Sequence, residues 1–163
     1  MLTALGCTDP RLDVAFEWMA RSVTGEPQAL SDLWRGTGEA CAATGDLACT
    51  LDAYQRALAL TPQDRNLRRR MATVWLWQDE FAQSEAAWRA LIAEDPGDQR
   101  ARAGLARTLN AAGRHNQAIV LYRGLGEQGG DGDIGFDHAR ALRWAGYDAA
   151  AQAIEVKEQA LRE

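Results

Sequence analysis

Two histidines, three cysteines and a set of alternating aspartates are the residues of this chain best suited to chemistry. His115 and His138 stand far apart in sequence with no cysteine or second histidine at ligand spacing, so neither completes a metal set. No Ser/His/Asp or Cys/His order points to a nucleophile with its base. Asp131, Asp133 and Asp137 alternate like the start of a calcium loop, but the turn glycine and closing glutamate are missing, which leaves a solvated linker. Gly124-Leu125-Gly126-Glu127-Gln128-Gly129 has the glycine spacing of a dinucleotide loop. Such a loop works between a strand and a helix, whereas this one follows a helical pattern and carries an inward Leu125. The expectation is a chain with no catalysis, no metal and no cofactor.

Cys7, Cys41 and Cys49 are too few and too odd in number for a disulfide framework, and their spacing fits no zinc motif. Cys41 and Cys49 flank the turn Thr44-Gly45-Asp46, so an antiparallel helix pair would bring them close. A bond needs Cα atoms about 4.4–6.8 Å apart. The simpler reading is two small buried thiols, and the sequence leaves the bonding open.

Of the 18 basic residues all but Lys157 are Arg. A GC-rich bacterial genome accounts for that bias, although Arg also forks onto carboxylates and phosphates. The net charge of −5 argues against general adhesion to nucleic acid or an anionic membrane. No apolar run reaches the roughly 18–20 residues that span a bilayer, so no direct membrane insertion is expected. Leu2-Thr3-Ala4-Leu5-Gly6-Cys7 is similar to the end of a lipoprotein signal, but a charged start is missing and Ala4 fits poorly.

What must position any of these groups is a repeat. Tyr54, Trp88 and Tyr122 recur at an interval of about 34 residues, as do Gly45, Asp79 and Gly113, and as do Pro62 and Pro96. A fixed period of this length means stacked supersecondary units. In residues 31–64, Ser31 reads as a helix cap. Leu33, Trp34, Thr37, Gly38 and Cys41 form the buried stripe of a first helix. Gly45 ends it, and Leu47, Leu51, Tyr54, Ala57 and Leu58 make a second helix that stops at Thr61-Pro62. Residues 65–98 and 99–132 repeat the pattern, and 133–163 form a degenerate fourth copy with one residue lost near Tyr147. Residues 1–30 read as a partial repeat whose second helix covers about 10–24. Both ends lack a polar capping unit, which suggests a piece of a longer array.

These units resemble the tetratricopeptide repeat (TPR). Trp34, Gly38, Gly45, Tyr54, Ala57 and Pro62 carry the resemblance in the first copy. Ala72, Trp75, Trp88 and Pro96 carry it in the second, and Ala106, Gly113, Ala118 and Tyr122 in the third. Arg68, Arg102 and Gly135 depart from it in the column of Trp34, where the Arg stems are expected to lie over the next helix. The resemblance implies an all-α, right-handed α-α superhelical solenoid of antiparallel helix pairs, with the first helices lining a concave groove.

By repeat registration that groove carries Arg35 in the first unit and Arg69, Arg70, Thr73 and Trp77 in the second. The third supplies Arg100, Arg107 and Asn110, and the fourth Arg140, Arg143 and Trp144. Trp77 and Trp144 lie outside the packing columns, which Trp75 and Leu142 fill. Arg forks and flat indoles suit an extended acidic partner segment or chain end. Relatives with a carboxylate clamp are a poor guide, because Glu39 puts an acid in the wrong place. The expected function is a protein–protein interaction scaffold. The alternative is the TPR portion of a bacterial exopolysaccharide-export protein, which recruits a modifying enzyme or guides an anionic polysaccharide. Ala139-Arg140-Ala141-Leu142-Arg143-Trp144-Ala145-Gly146-Tyr147 is similar to phrases in such proteins. That reading places the chain in the bacterial periplasm or cell envelope, with the cytoplasm as the alternative.

Overall fold

The computed structural model describes residues 27–126 and 132–160. Among these are eight helices and no strand: α1 (Pro27–Thr44), α2 (Leu47–Leu60), α3 (Arg65–Trp77), α4 (Phe81–Glu94), α5 (Gln99–Ala111), α6 (His115–Gly126), α7 (Gly132–Trp144) and α8 (Asp148–Ala160). The helix expected over 10–24, together with Cys7 and Asp131, lies outside the described residues. The chain divides into two compact units, Met1–Val74 and Trp75–Glu163.

One backbone device ends four of the helices. Gly45, Asp79, Gly113 and Gly146 all have left-handed φ, at 80°, 60°, 75° and 86°. Their amides donate to the carbonyls of Ala42, Leu76, Asn110 and Arg143. The next amides, of Asp46, Glu80, Arg114 and Tyr147, donate five residues back to Cys41, Trp75, Leu109 and Leu142. This pairing satisfies carbonyls that the last helical turn leaves open. The interval is constant across the first three turns and one shorter before the last. Leu109 and Leu142, at equivalent points of their hairpins, already share the shorter interval, so the residue is lost ahead of Leu142 and not at the turn near Tyr147. Helix starts are also capped. The carboxylate of Asp46 accepts from Cys49 N, that of Asp64 from Asn66 N and Leu67 N, and that of Asp98 from Ala101 N.

In the first unit α1 packs on α2. Gly38 lets the ring of Tyr54 lie against the backbone, where any β-carbon would collide with it. Ser31 is not the helix cap that its position suggested. The helix starts at Pro27, and Ser31 sits buried in its second turn. Its hydroxyl donates to the carbonyl of Ala57 at 3.1 Å and pairs with the Thr61 hydroxyl at 2.7 Å, so its role is to tie α1 to the end of α2. Trp34 carries the guanidinium of Arg56 over its ring at 4.7 Å.

In the second unit the helices pack in succession: α4 on α5, α5 on α6, α6 on α7 and α7 on α8, with α5 also touching α7. Leu91, Leu105, Leu109, Ile119, Leu125 and Leu142 are core residues. Two aromatic residues of second helices meet first-helix residues of the repeat that follows. Trp88 lies against Gly104, and Tyr122 stacks with His138 at 6.0 Å between centroids. The buried hydroxyls of Ser84 and Thr108 bond at 2.9 Å beside the Trp88–Gly104 contact, joining α4 to α5. Arg102 reaches α6, where its guanidinium lies 3.2 Å from the place a Gly124 β-carbon would take.

Candidate functional site

The groove candidates fall into two sets, one in each unit. In the first unit Arg35 pairs with Asp32 at 2.8 Å, one helical turn back. Arg69 donates to the side-chain carbonyl of Asn66 at 2.8 Å, and the hydroxyl of Thr73 donates to the Arg69 carbonyl. Arg70 is exposed and pairs with Glu39 at 3.2 Å, so the acid noted on the first helix is an in-chain partner for an arginine of the next repeat. Each of these arginines carries a polar partner from its own unit.

The second unit gathers its candidates more tightly. Arg107 of α5 and Arg140 of α7 both donate to the carboxylate of Asp137, one to each oxygen. Asp137 is well shielded, with 13% of its side chain exposed, while the Arg107 and Arg140 side chains are about half exposed. The guanidinium of Arg140 also stands 5.7 Å from the ring of Trp144. On another side of that indole is the ring of His115, at 5.6 Å and tilted by 52°. His115 opens α6, and its Nδ1 is held 2.7 Å from the side-chain oxygen of the buried Asn110. Arg143 donates to both oxygens of Glu155 on α8 at 2.8 Å. Arg100 is exposed at the start of α5, and Trp77 is exposed at the end of α3.

Among the described residues, then, Arg107, Asn110, Arg140 and Trp144 come together with two residues that the groove registration had not selected, Asp137 and His115. Asp137 is not part of a solvated linker. It lies in α7, one turn before Arg140 and across from Arg107. Its i,i+3 relation to Arg140 is visible in sequence, but the partner on another helix is not. Asn110 is a supporting residue that orients His115; being buried, it offers little surface of its own.

The charges act on the core beneath them. The hydroxyl of Tyr122 is buried without a hydrogen-bond partner. Its ionisation is pushed up, first by burial and then by the Asp137 carboxylate, with Arg107 and Arg140 opposing. Burial, then the nearby Arg123 cation, pushes the His138 imidazolium down in pKa. The Arg114 guanidinium forks onto both oxygens of Glu85 at 2.8 Å and holds that carboxyl below its usual range. What the surface offers chemically is two partly exposed guanidiniums, a third from Arg143, one turn along α7 from Arg140, and the open part of an indole that is 56% exposed.

No described helix is long and apolar enough to cross a membrane. A tetratricopeptide repeat family model matches residues 86–142. Several solved structures match over most of the chain. A tetratricopeptide repeat protein from Parabacteroides merdae is 14% identical with a TM-score of 0.73, covering 88% of this chain and 55% of that one. MamA from Desulfovibrio magneticus RS-1 is 15% identical with a TM-score of 0.71, and the match covers 92% of both chains. MamA AMB-1 is 19% identical with a TM-score of 0.67, covering 81% of this chain and 79% of that one. At these identities the likeness is one of fold. No curated protein sequence matches the chain.

Proposed function

We propose that the chain is a tetratricopeptide-repeat protein, a reading supported by the family match over residues 86–142 and by the fold it shares with solved repeat structures, and that it is a non-catalytic scaffold that binds an extended acidic segment along its first-helix face, with repeats over 31–64, 65–98, 99–132 and 133–163. The observation that supports this most is the cluster on α5 and α7, where Arg107 and Arg140 flank a single carboxylate beside Trp144 and keep about half of each side chain exposed. A partner carboxylate can share these guanidiniums, and a neighbouring apolar side chain can lie on the indole. Arg35, Arg69, Arg70 and Thr73 in the first unit, and Trp77, Arg100 and Arg143 in the second, are proposed as further contacts for the same class of ligand.

The exposed indoles of Trp77 and Trp144 support one second reading. In it the face guides an anionic polysaccharide in a bacterial envelope, or recruits an enzyme that modifies it, with sugar rings stacked on the indoles and uronate carboxylates on the arginines. A glutamate-rich peptide and a polyuronate of equal charge, titrated in parallel, separate the two by their relative affinities.

The test is charge reversal. Arg70→Glu with Arg107→Glu should weaken binding of a glutamate-rich peptide at least tenfold at low salt, while the helical spectrum stays normal. Unchanged binding by a folded double variant rules the proposed face out.

A further inference from the structure

Each hairpin turn places one residue at an equivalent point, the carbonyl that accepts an amide from five residues on. Cys41, Trp75, Leu109 and Leu142 occupy it. Three of these are large and apolar, and Leu109 and Leu142 are buried. Cys41 is the small exception. Its sulfur is instead bonded to Cys49 of α2, with the Cα atoms 5.8 Å apart, inside the span that disulfides bridge. Cys49 departs from its own column as well, since Gln83 and Gln117 hold the equivalent positions one and two repeats further on. Both partners therefore leave their columns together, as a pair, in the first hairpin.

We infer that the Cys41–Cys49 bond is a covalent replacement for the apolar plug of the other hairpins, and that the chain folds and works in an oxidising compartment. Forming it joins the two Sγ atoms and releases two protons and two electrons. A disulfide-bearing acceptor takes them, a protein or small-molecule disulfide whose own S–S bond breaks and which leaves as the dithiol. A reducing cytosol runs the exchange the other way. Reduction then leaves two small side chains where the neighbouring turns have a leucine or tryptophan. The mouth of this hairpin would rest on the Asp46 cap and the turn's backbone bonds. Display of the first unit is in this way tied to the redox state around it.

The experiment uses the full chain carrying Cys7→Ser, exported to an oxidising compartment and purified without reductant. A maleimide reagent should add nothing to the denatured protein until it is reduced, and then label two thiols. Reductant should lower the unfolding midpoint by roughly 5 °C. Cys41→Ser/Cys49→Ser should melt at that lower midpoint and ignore reductant. Cys41→Leu/Cys49→Gln gives the first hairpin the residue types that Leu109 and Gln117 supply at these positions in the third, and should recover most of the loss while also ignoring reductant. Two reactive thiols before reduction would overturn the inference, and so would a midpoint insensitive to reductant. A Leu/Gln variant no more stable than the Ser/Ser one would overturn the claim that the bond replaces packing.

Discussion

Arg107 on α5 is paired with Asp137 on α7, two helices further along the chain, and the same carboxylate is held by Arg140 from its own helix. Asp137 thus fixes the two guanidiniums that the proposed ligand would use, and offsets part of their charge. Asp137→Asn keeps the shape and one acceptor oxygen but removes the negative charge. A glutamate-rich peptide should then bind a few-fold more tightly at low salt, because a unit charge several ångströms from the ligand is worth on the order of 1 kcal/mol in a largely hydrated site. The gain should fade as salt is raised. Isothermal titration of the two proteins at low and high salt checks it; weaker binding by the variant would mean that positioning, not charge, is what Asp137 contributes.

Trp88 against Gly104 is a contact with no room for added volume. A β-carbon on Gly104 would lie 2.5 Å from the indole, and both residues are buried. Gly104→Val should cost about 2 kcal/mol or more by overpacking, lowering the unfolding midpoint by roughly 5 °C. Adding Trp88→Leu should return part of the loss, so the two substitutions will couple in a double-mutant cycle.

Asp79 takes the left-handed conformation that Gly45, Gly113 and Gly146 take in the other turns. A side chain in that region carries a penalty that glycine avoids. Asp79→Gly should stabilise the chain by about 0.5–1 kcal/mol, whereas Gly113→Ala should destabilise it by about 1 kcal/mol. Denaturant midpoints at fixed m-value report both.

Acid should weaken the second unit. Burial lowers the pKa of His138 in the folded chain relative to its ordinary value, so the unfolded state takes up the proton first. Stability from this group is complete above about pH 6.5 and declines as pH falls through that value. The Glu85 carboxyl, held low by Arg114, adds a second decline below about pH 4.5. Melting curves from pH 8 down to about pH 3 should show both steps. His138→Phe keeps the stack on Tyr122 and should remove the upper one alone.

Much of the architecture was readable in the primary structure because it repeats. The columns of Tyr54, Trp88 and Tyr122 locate the second helices, and register marks Asp79 as a turn residue although it is not glycine. Ser31 shows the limit. Serine before an apolar stripe has the signature of a cap, but here a helix already under way buries it, and its acceptor is the Ala57 carbonyl on α2. Asp137 shows the same limit at the site. Its alternation with other aspartates is local, while its meaning comes from Arg107 on another helix. The arginine positions are legible from the repeat register, but the carboxylates that engage them, Glu39 and Asp137, are not. Cys41 and Cys49 needed the hairpin geometry itself before the bond between them could be seen.

The most direct measurement follows the Trp144 indole resonance while a glutamate-rich peptide is titrated into the labelled chain. Binding on the α5–α7 face predicts a saturable, salt-sensitive shift of that signal and of the Arg107 and Arg140 guanidinium signals, abolished by Arg107→Glu with Arg140→Glu. Peptide that binds while all three signals stay still would contradict the account.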